Sequence, residues 1–374
     1  MPRLLLKERL ISLDVFRGLT IAAMILVNNP GSWAHVYAPL RHAEWHGWTP
    51  TDLIFPFFLF IVGVAMTFSL GRFNPASKLD GVTSVYWKVL RRSVLIFVIG
   101  LLLNGFPHYN LDTLRIPGVL QRIAVCYLFA SLIVLNTNIR GQAIWLAGLL
   151  LGYWAAMKLI PVPGYGAGNL GIEGNLAAYV DFHLLKGHMW KKTWDPEGLL
   201  STFPAIATTL TGVLTGHLIR SGRDKPSIVR YLLASGCGAI VAGQLWGIFF
   251  PLNKSLWTSS YVVFTTGMAQ LFLGICYWLV DLRGYKKWSY PALVYGMNSL
   301  AVFVLSGVLV RIMLLVRVPG SNGTSVSSKT WLYQNLFIPW AGPLNGSLFF
   351  ALANILVLFL LMAILYRKRI FIKI

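Results

Sequence analysis

Charged residues are scarce in this 374-residue chain, and acidic ones most of all. Only 12% of the residues are charged, with 32 Lys and Arg against 12 Asp and Glu. A soluble domain usually carries about a quarter charged residues, so a water-facing surface of normal composition is excluded. The hydrophobic fraction of 56% instead indicates a protein that mostly faces lipid. No polar stretch is long enough for a separate soluble domain, and we predict a single domain over 1–374.

Cysteines are also few, and no metal-binding motif is present. Cys126, Cys237 and Cys276 fall in apolar segments without ligand-like spacing, which is typical of buried small side chains. The histidines show no HExxH or comparable pattern. The sequence therefore predicts neither a disulfide nor a metal site.

Apolar runs close to the ~20 residues that cross a bilayer recur along the whole chain. They predict an all-α, polytopic membrane protein with about ten transmembrane helices. The expected spans are 13–27, 51–70, 85–103, 117–135, 143–160, 199–219, 228–250, 257–280, 291–316 and 344–366.

The net charge of +20 is distributed unevenly along the chain. If the N-terminus is cytoplasmic, most basic residues fall in inner loops and tails, including Lys88, Arg91 and Arg92. This positive-inside bias places both termini in the cytoplasm. The charge thus orients the chain in its membrane and gives no reason to expect nucleic acid. No small-residue cleavage site follows the first apolar run, so we expect that segment to remain as a helix.

Two outer loops are longer than the other connections. The first, 161–196, contains a helical-looking stretch at 175–185 and ends at Asp195, Pro196 and Glu197. An Asp cap, a proline and an acid in the first turn predict that the sixth span begins there. The second loop, 319–342, is rich in Ser, Gly and Asn.

Polar residues at membrane depth are costly, so they tend to be paired or functional. Asp14 and Arg17 are three residues apart on one face of the first span, where they can neutralise each other. Asn28, near the outer end of the same span, either caps the helix or donates a hydrogen bond to a substrate carbonyl. Both readings remain open.

The densest polar and aromatic cluster follows the first span. It holds two histidines, His42 and His46, beside Glu44, Trp45 and Asp52. An aromatic belt at the membrane surface explains the tryptophan without function, but the same ring beside two carboxylates also suits the face of a sugar. Residue chemistry alone nominates both histidines without choosing between them.

A second concentration lies at Arg115 and Arg122. Seven residues separate them, so they share nearly the same helix face. Placing Arg122 toward lipid would cost at least ~2.5 kcal/mol, so we expect it to face the interior. It then either pairs with a carboxylate, such as Asp14, Asp52 or Asp112, or meets an anionic ligand.

Five blocks of sequence, taken in order, resemble one known family. They are RLISLDVFRGLTIAAMILVNN, RHAEWHGWTPTDLIFPFFLFIVG, RIPGVLQR, WDPEGLLST and YGMNS. These blocks are similar to the heparan-α-glucosaminide N-acetyltransferase family, and to its bacterial NagX-like transmembrane acetyltransferases in particular. The resemblance runs from about residue 9 to the C-terminus and implies a single transmembrane acyltransferase domain.

The resemblance implies a reaction across the bilayer. Acetyl-CoA would be supplied on the cytoplasmic side, and its acetyl group passed to the amine of glucosamine, or of a glucosamine-containing saccharide, on the other side. It selects His42 over His46 as the catalytic histidine, with Asn28 beside it. We assign substrate binding to Glu44, Trp45, Asp52, Asp14 and Arg17. Cofactor binding is assigned to Arg115, Arg122, Asn298 and Ser299.

His42 can serve as a general base or as a transient acetyl carrier, and we favour the first. The alternatives are a transporter for a sugar or lipid-linked precursor, and an O-acyltransferase of an envelope glycan. We expect a multi-pass protein of a bacterial inner membrane whose partners are acetyl-CoA, an amino sugar and lipid. The oligomeric state is open, a homo-oligomer being one option.

Overall fold

A computed structural model describes residues 10–70, 79–319 and 325–372, and of residues 79–82 only the backbone. The described chain is mostly helical, with two short strands. Its α-helices are α1 (Ile11–Asn28), α2 (Ile54–Leu70), α3 (Leu79–Gly105), α4 (Val119–Asn136), α5 (Ile139–Leu159), α6 (Leu176–Leu185), α7 (Thr202–Ile219), α8 (Lys225–Gly247), α9 (Ser259–Tyr277), α10 (Tyr290–Met297), α11 (Ser299–Leu315), α12 (Ser328–Leu332) and α13 (Ile338–Arg367). Short 3-10 turns cover Ala38–Leu40 and Pro50–Leu53, and π-helical turns cover Trp278–Leu282 and Tyr333–Phe337.

Each predicted span coincides with helix in the structure. Within the described residues, seven helices are long and apolar enough to cross a membrane, or eight if one bent pair counts as a single span. α3 and α5 match the third and fifth predicted spans in position and are 27 and 21 residues long, but they are more polar. The all-α polytopic fold is confirmed, whereas the orientation of the termini stays a prediction.

The chain divides into two compact units. One combines the residues up to 42 with 49–54 and the segment from 276 onward, and the other combines 43–48 with 55–275. Each is described by itself below. The single domain over 1–374 stays a prediction.

In the first unit, α1 packs against α10 at close range because two glycines meet backbone. A Cβ on Gly18 would lie 1.7 Å from the carbonyl oxygen of Ala292, and a Cβ on Gly296 would lie 2.1 Å from that of Asp14. Small residues let helix backbones approach in membranes, where packing replaces the hydrophobic effect between helices. This contact anchors the N-terminal helix to a helix near the C-terminal end of the chain.

The ninth predicted span is broken rather than continuous. α10 and α11 meet at an angle of 85°, and Asn298 between them has non-helical angles (φ −126°, ψ 37°). Such a break leaves backbone groups to be satisfied by neighbours. The apolar pattern of 291–316 could not reveal it, because hydropathy is the same for a straight and a bent helix.

The second unit is built around α7. Gly63 of α2 and Gly212 of α7 face each other, and a Cβ on either would lie within 2.1 Å of a backbone oxygen of the opposite helix. Val85 and Val89 of α3 and Tyr127 of α4 are buried in the same apolar cluster as Leu210 of α7. Met66 and Leu70 of α2 belong to this cluster too, so α2, α3 and α4 share one core with α7.

Both long loops contain regular secondary structure. The predicted helix at 175–185 is present as α6, and Asn175 caps it by accepting a hydrogen bond from the Ala178 amide at 2.8 Å. In the second loop, β1 (Arg317–Pro319) pairs antiparallel with β2 (Ser325–Ser327). α12 and the first residues of α13 follow, and α13 bends at Gly342, whose φ is 72°.

The α1–α10 contact makes a stability prediction. Gly18→Ala should lower the thermal unfolding temperature of the purified protein, since overpacking of this kind costs about 1–3 kcal/mol. Gly148→Ala on α5 is the matched control, because a Cβ there meets nothing within 4 Å. Equal unfolding temperatures for Gly18→Ala and wild type would show that the two helices are not in close contact.

Candidate functional site

A histidine and a buried carboxylate form a pair at the start of the second predicted span. His42 Nδ1 lies 2.7 Å from Asp52 Oδ1, with the His42 side chain 49% exposed and the Asp52 side chain 1% exposed. A carboxylate with almost no solvent contact needs hydrogen-bond donors from the protein. The imidazole is one of them, and it reaches the carboxylate from the solvent-facing side.

Thr49 contributes further hydrogen bonds around Asp52. Its backbone N–H lies 3.0 Å from Asp52 Oδ2, and the two residues form a capping box at the Pro50–Leu53 turn. The Thr49 hydroxyl has one proton to donate and lies near two acceptors, the Arg41 carbonyl oxygen at 2.6 Å and Asp52 Oδ2 at 3.0 Å. The helix start thus holds the carboxylate, and the same threonine ties it to the segment that carries the histidine.

The pair determines which nitrogen of His42 has the lone pair. A neutral imidazole donates from one nitrogen and accepts at the other. When Nδ1–H donates to Asp52, the lone pair is on Nε2, which can then accept a proton. Asp52 also stabilises the imidazolium that forms when Nε2 takes a proton. The arrangement is that of an oriented general base.

The two asparagines at the end of α1 differ in environment. Asn28 is exposed. Asn29 is buried, and its amide donates to the Ile25 carbonyl oxygen at 2.9 Å and to Ser306 Oγ at 3.1 Å. Asn29 therefore holds α1 to α11, while the Asn28 side chain is exposed at the end of α1. Its catalytic role stays a prediction.

In the second unit, the other candidates of this segment have structural partners. Trp45 Nε1 donates to the Leu170 carbonyl oxygen at 2.8 Å, and its ring packs edge-on against Trp194 at 5.2 Å. His46 Nδ1 lies 3.3 Å from the Asn253 amide nitrogen, and Glu44 is exposed. An amide partner does not stabilise an imidazolium as a carboxylate does, so the geometry favours His42 over His46 as a base.

Arg115 is engaged by two carboxylates of the second unit. Its Nε and Nη2 lie 2.8 and 2.6 Å from the two oxygens of Asp195, and Nη2 lies 2.5 Å from Glu197 Oε2. The guanidinium also stacks on Trp190, 5.1 Å from the ring centre. Asp195 and Glu197, which were predicted to start the sixth span, are therefore ion-pair partners of Arg115.

That prediction of the helix start is wrong. α7 begins at Thr202, with Ser201 as the preceding residue. Asp195 instead accepts hydrogen bonds from the Trp190 and Glu197 backbone amides, at 2.7 and 2.9 Å. A guanidinium competes well for a carboxylate because charge-assisted, bidentate bonds are the stronger ones.

Arg122 faces the interior, as predicted, but its direct partners are neutral. The side chain is 2% exposed, and Nη2 donates to the Gly198 carbonyl oxygen at 3.0 Å and to Ser201 Oγ at 2.5 Å. Its guanidinium lies 5.1 Å from the Trp257 ring centre, while Nε and Nη1 have no hydrogen-bond partner among the described residues. The carboxylates expected to pair with it do not.

The remaining predicted residues lie in the first unit, and two of them sit at the other end of α1 from Asn28. Arg17 Nη1 lies 2.9 Å from Asp14 Oδ1 and 3.4 Å from the Gly296 carbonyl oxygen, so the predicted ion pair is confirmed and supports the α1–α10 contact. The Asn298 amide bonds to backbone groups of the C-terminal tail, Ile370 and Ile372, at 3.1 and 2.9 Å. Substrate and cofactor roles for these residues, and for the half-buried Ser299, stay predictions.

Sequence reasoning missed Thr49, although a signal for it was present. A Thr followed three residues later by an acid, just before an apolar run, is a capping-box pattern. Applied to Thr49 and Asp52, that pattern indicates a carboxylate fixed at a helix start, rather than one free to bind a sugar. The bond from Asp52 to His42 has no such local signature.

Comparison with known proteins covers four of the five sequence blocks by a single family match. The family model described as "Heparan-alpha-glucosaminide N-acetyltransferase, catalytic" matches residues 9–236, which is more than half of the chain. The chain belongs to this family. The matched region contains His42, Asp52, Arg115 and Arg122, together with the acids that pair with Arg115.

Two curated proteins of the heparan-α-glucosaminide N-acetyltransferase family are similar over most of the chain. The heparan-alpha-glucosaminide N-acetyltransferase of Homo sapiens is 31% identical over 80% of this chain, and that of Mus musculus is 30% identical over 79%. In both cases the match covers 53% of the relative. The chain therefore spans about half the length of the curated relatives it matches.

Asp181 of α6 makes a pH prediction. It is 1% exposed and accepts a hydrogen bond from the Leu199 amide at 2.8 Å, yet burial raises the pKa of its carboxyl to about 6. Because the folded pKa exceeds the unfolded one, near 3.8, the folded state binds more protons between these values. The free energy of unfolding therefore falls as the pH rises through this range, by about 2 kcal/mol between pH 4 and pH 6 and by about 3 kcal/mol over the whole titration.

Asp181→Asn should remove that dependence, since the amide is neutral at every pH and its oxygen can still accept from Leu199. Thermal unfolding measured between pH 4 and 7.5 should show the variant gaining stability relative to wild type as the pH rises. Glu173→Gln, at an exposed acid of the same loop, is the control and should run parallel to wild type. Parallel curves for Asp181→Asn would contradict the assignment.

Proposed function

We propose that this chain is a transmembrane N-acetyltransferase, which passes the acetyl group of cytoplasmic acetyl-CoA to the amine of glucosamine or of a glucosamine-containing saccharide. The observation that carries the proposal is the His42–Asp52 pair, held by Thr49 in the geometry of an oriented base. Membership of the family supports the acyl-transfer chemistry. The printed names of the relatives refer to an N-acetyl transfer on a glucosaminide, and this supports the acceptor class.

The chemistry requires a base because the attacking amine must lose a proton. As the amine nitrogen attacks the thioester carbonyl carbon, His42 Nε2 accepts that proton and Asp52 stabilises the resulting imidazolium. Collapse of the tetrahedral intermediate breaks the C–S bond, and the proton on Nε2 passes to the leaving CoA thiolate. The products are the N-acetylated sugar and CoA.

The oxyanion of the tetrahedral intermediate needs a donor. Asn28 is exposed at the end of α1, in the same unit as His42, and its amide can donate to such an oxygen. One donor of this kind is worth roughly 10²–10³-fold in rate. We therefore retain Asn28 as the candidate for this role, with Asn29 as a structural residue.

The first test is acetyl transfer by the purified protein to a panel of amino sugars. His42→Ala should lower kcat by roughly 10²–10⁴-fold. Asp52→Asn should lower it by roughly 100-fold or more, because an amide can hold the imidazole in the wrong tautomer. His108→Ala, at an exposed histidine, is the control and should leave kcat unchanged.

Each variant needs a measured unfolding temperature, because Asp52 also caps a helix turn. Acceptors whose amine is already acetylated should be inactive, which separates N-transfer from O-acylation of a glycan. Proteoliposomes should take up no sugar in the absence of acetyl-CoA, whereas a transporter would take it up. Full activity of His42→Ala on every acceptor would refute the proposed role of the pair.

A second experiment separates direct transfer from a covalent intermediate. We expect direct transfer, since an Nε2 that accepts the amine proton is not available to hold the acetyl group as well. Incubation with labelled acetyl-CoA and no acceptor should therefore leave no label on the denatured protein. Label that is retained by wild type and lost in His42→Ala would establish an acetyl-His42 intermediate instead.

The proposed setting of the reaction rests on the apolar helices and on the charge distribution of the sequence. We propose a multi-pass location in a bacterial inner membrane, with acetyl-CoA on the cytoplasmic side and the acceptor on the other. Basic residues concentrated in the predicted inner loops support that orientation. A labelling reagent that cannot cross the membrane, tested on single cysteines at exposed Trp33 and Arg140, would check it.

A further inference from the structure

A basic groove lies in the second unit and includes none of the residues proposed above as catalytic. It has a volume of about 340 Å³ and is formed where the end of α2 and the first half of α3 meet α4. Its basic residues are Lys88, Arg91 and Arg92, all from α3 and all exposed. Ligand pockets in proteins start at about 300 Å³, so the groove is large enough for part of a small molecule.

The three basic side chains lie on one face of α3. They occupy positions i, i+3 and i+4, where like charges on a helix repel one another. Among the described residues, no carboxylate forms an ion pair with any of the three. The helix therefore carries a local charge of the same sign on a concave surface, which an anion would neutralise.

The floor of the groove is apolar and aromatic. Leu70, Val85, Val89 and Tyr127 are buried there and belong to the core cluster of this unit. The Arg92 guanidinium lies over the Tyr127 ring, 4.9 Å from its centre, which restrains the arginine and leaves a flat cation at the wall. A planar guanidinium of this kind suits bidentate contact with phosphate and stacking on a ring.

The groove also extends along the helices. Tyr127 is nine residues from the end of α4 at Asn136, which corresponds to about 14 Å along the helix axis. Ser69 and Leu70 line the groove at the end of α2. In the predicted orientation, both helix ends are cytoplasmic. A ligand with charged groups at the mouth could therefore extend an uncharged part toward the middle of the membrane.

We infer that this groove binds the phosphate groups of an amphipathic phosphorylated ligand, with Lys88, Arg91 and Arg92 as the phosphate-binding residues. The chemistry fits the 3′-phosphoadenosine diphosphate part of CoA, whose adenine can stack and whose pantetheine arm is long and uncharged. The headgroup of an anionic phospholipid offers the same phosphate. We favour CoA because the groove is concave and carries a stacked guanidinium, and in this form the inference rests on the proposed function.

The test measures binding by calorimetry, with the full-length protein in an uncharged detergent. The probes are CoA, dephospho-CoA, which lacks the 3′-phosphate, and pantetheine, which lacks every phosphate. Arg92→Gln and the pair Lys88→Gln with Arg91→Gln should each weaken CoA binding at least tenfold. Pantetheine should bind these variants and the wild type equally.

Two control variants accompany the groove variants. Arg140→Gln removes an exposed arginine of the same unit outside the groove and should bind CoA like wild type. Arg92→Lys keeps the charge without the planar fork and should fall between wild type and Arg92→Gln. Its thermal unfolding should match that of wild type, which separates lost binding from lost folding.

A titration with lipids distinguishes the two sources of phosphate. The same variants are titrated with phosphatidylglycerol and, as a neutral reference, with phosphatidylcholine. Loss of CoA binding in the groove variants supports the inference with CoA as the ligand. Loss of phosphatidylglycerol binding alone supports a phosphate site that is occupied by lipid. Groove variants that bind both ligands as tightly as Arg140→Gln overturn the inference.

This outcome can be separated from that of the proposed function. If the groove variants lose CoA binding but no amino sugar is acetylated by wild type, the groove stands and the proposed acceptor chemistry fails. If wild type transfers acetyl groups and the groove variants keep their KM for acetyl-CoA, the function stands and the groove is not the CoA site.

Discussion

Buried polar groups in this chain have to find their hydrogen bonds inside the protein, because water is scarce between membrane helices. Asp52 is the clearest case. Its carboxylate is 1% exposed and is held by Thr49 on one oxygen and by His42 on the other. The need to satisfy one buried carboxylate thus orders the start of α2, the loop before it and the imidazole. The orientation of the His42 ring is a consequence of that constraint.

The same constraint explains why two family blocks meet in the second unit. Arg115 takes both acids of the WDPEGLLST block, and Arg122 takes a carbonyl and a hydroxyl further along it. The arginines were expected to bind a cofactor, but three hydrogen bonds from Nε and Nη2 of Arg115 already go to carboxylates. Buried Arg122 retains two donors without a partner among the described residues. Phosphate chemistry is better served by exposed basic residues on α3, whose charges no described carboxylate opposes.

Local patterns predicted the helices well, and failed where a distant partner competes. The helix at 175–185 was predicted, and its cap at Asn175 depends only on the residues that follow it. Asp195 carries the same type of signal, yet it is drawn to Arg115, 80 positions earlier in the chain. The bend at Asn298 was missed for a similar reason. Its side chain holds backbone groups more than 70 positions away, which no pattern within one span can show.

The sequence by itself determined the membrane class, the positions of the helices and the family, because hydropathy, charge and motif order are properties of the chain read in one dimension. It nominated His42 and His46 on equal chemical terms. The family resemblance selected His42, and the tertiary structure adds a physical difference by placing His42 against a buried carboxylate and His46 against an amide. The reason is physical: the basicity and orientation of an imidazole depend on the group that contacts its other nitrogen, and packing decides which group that is.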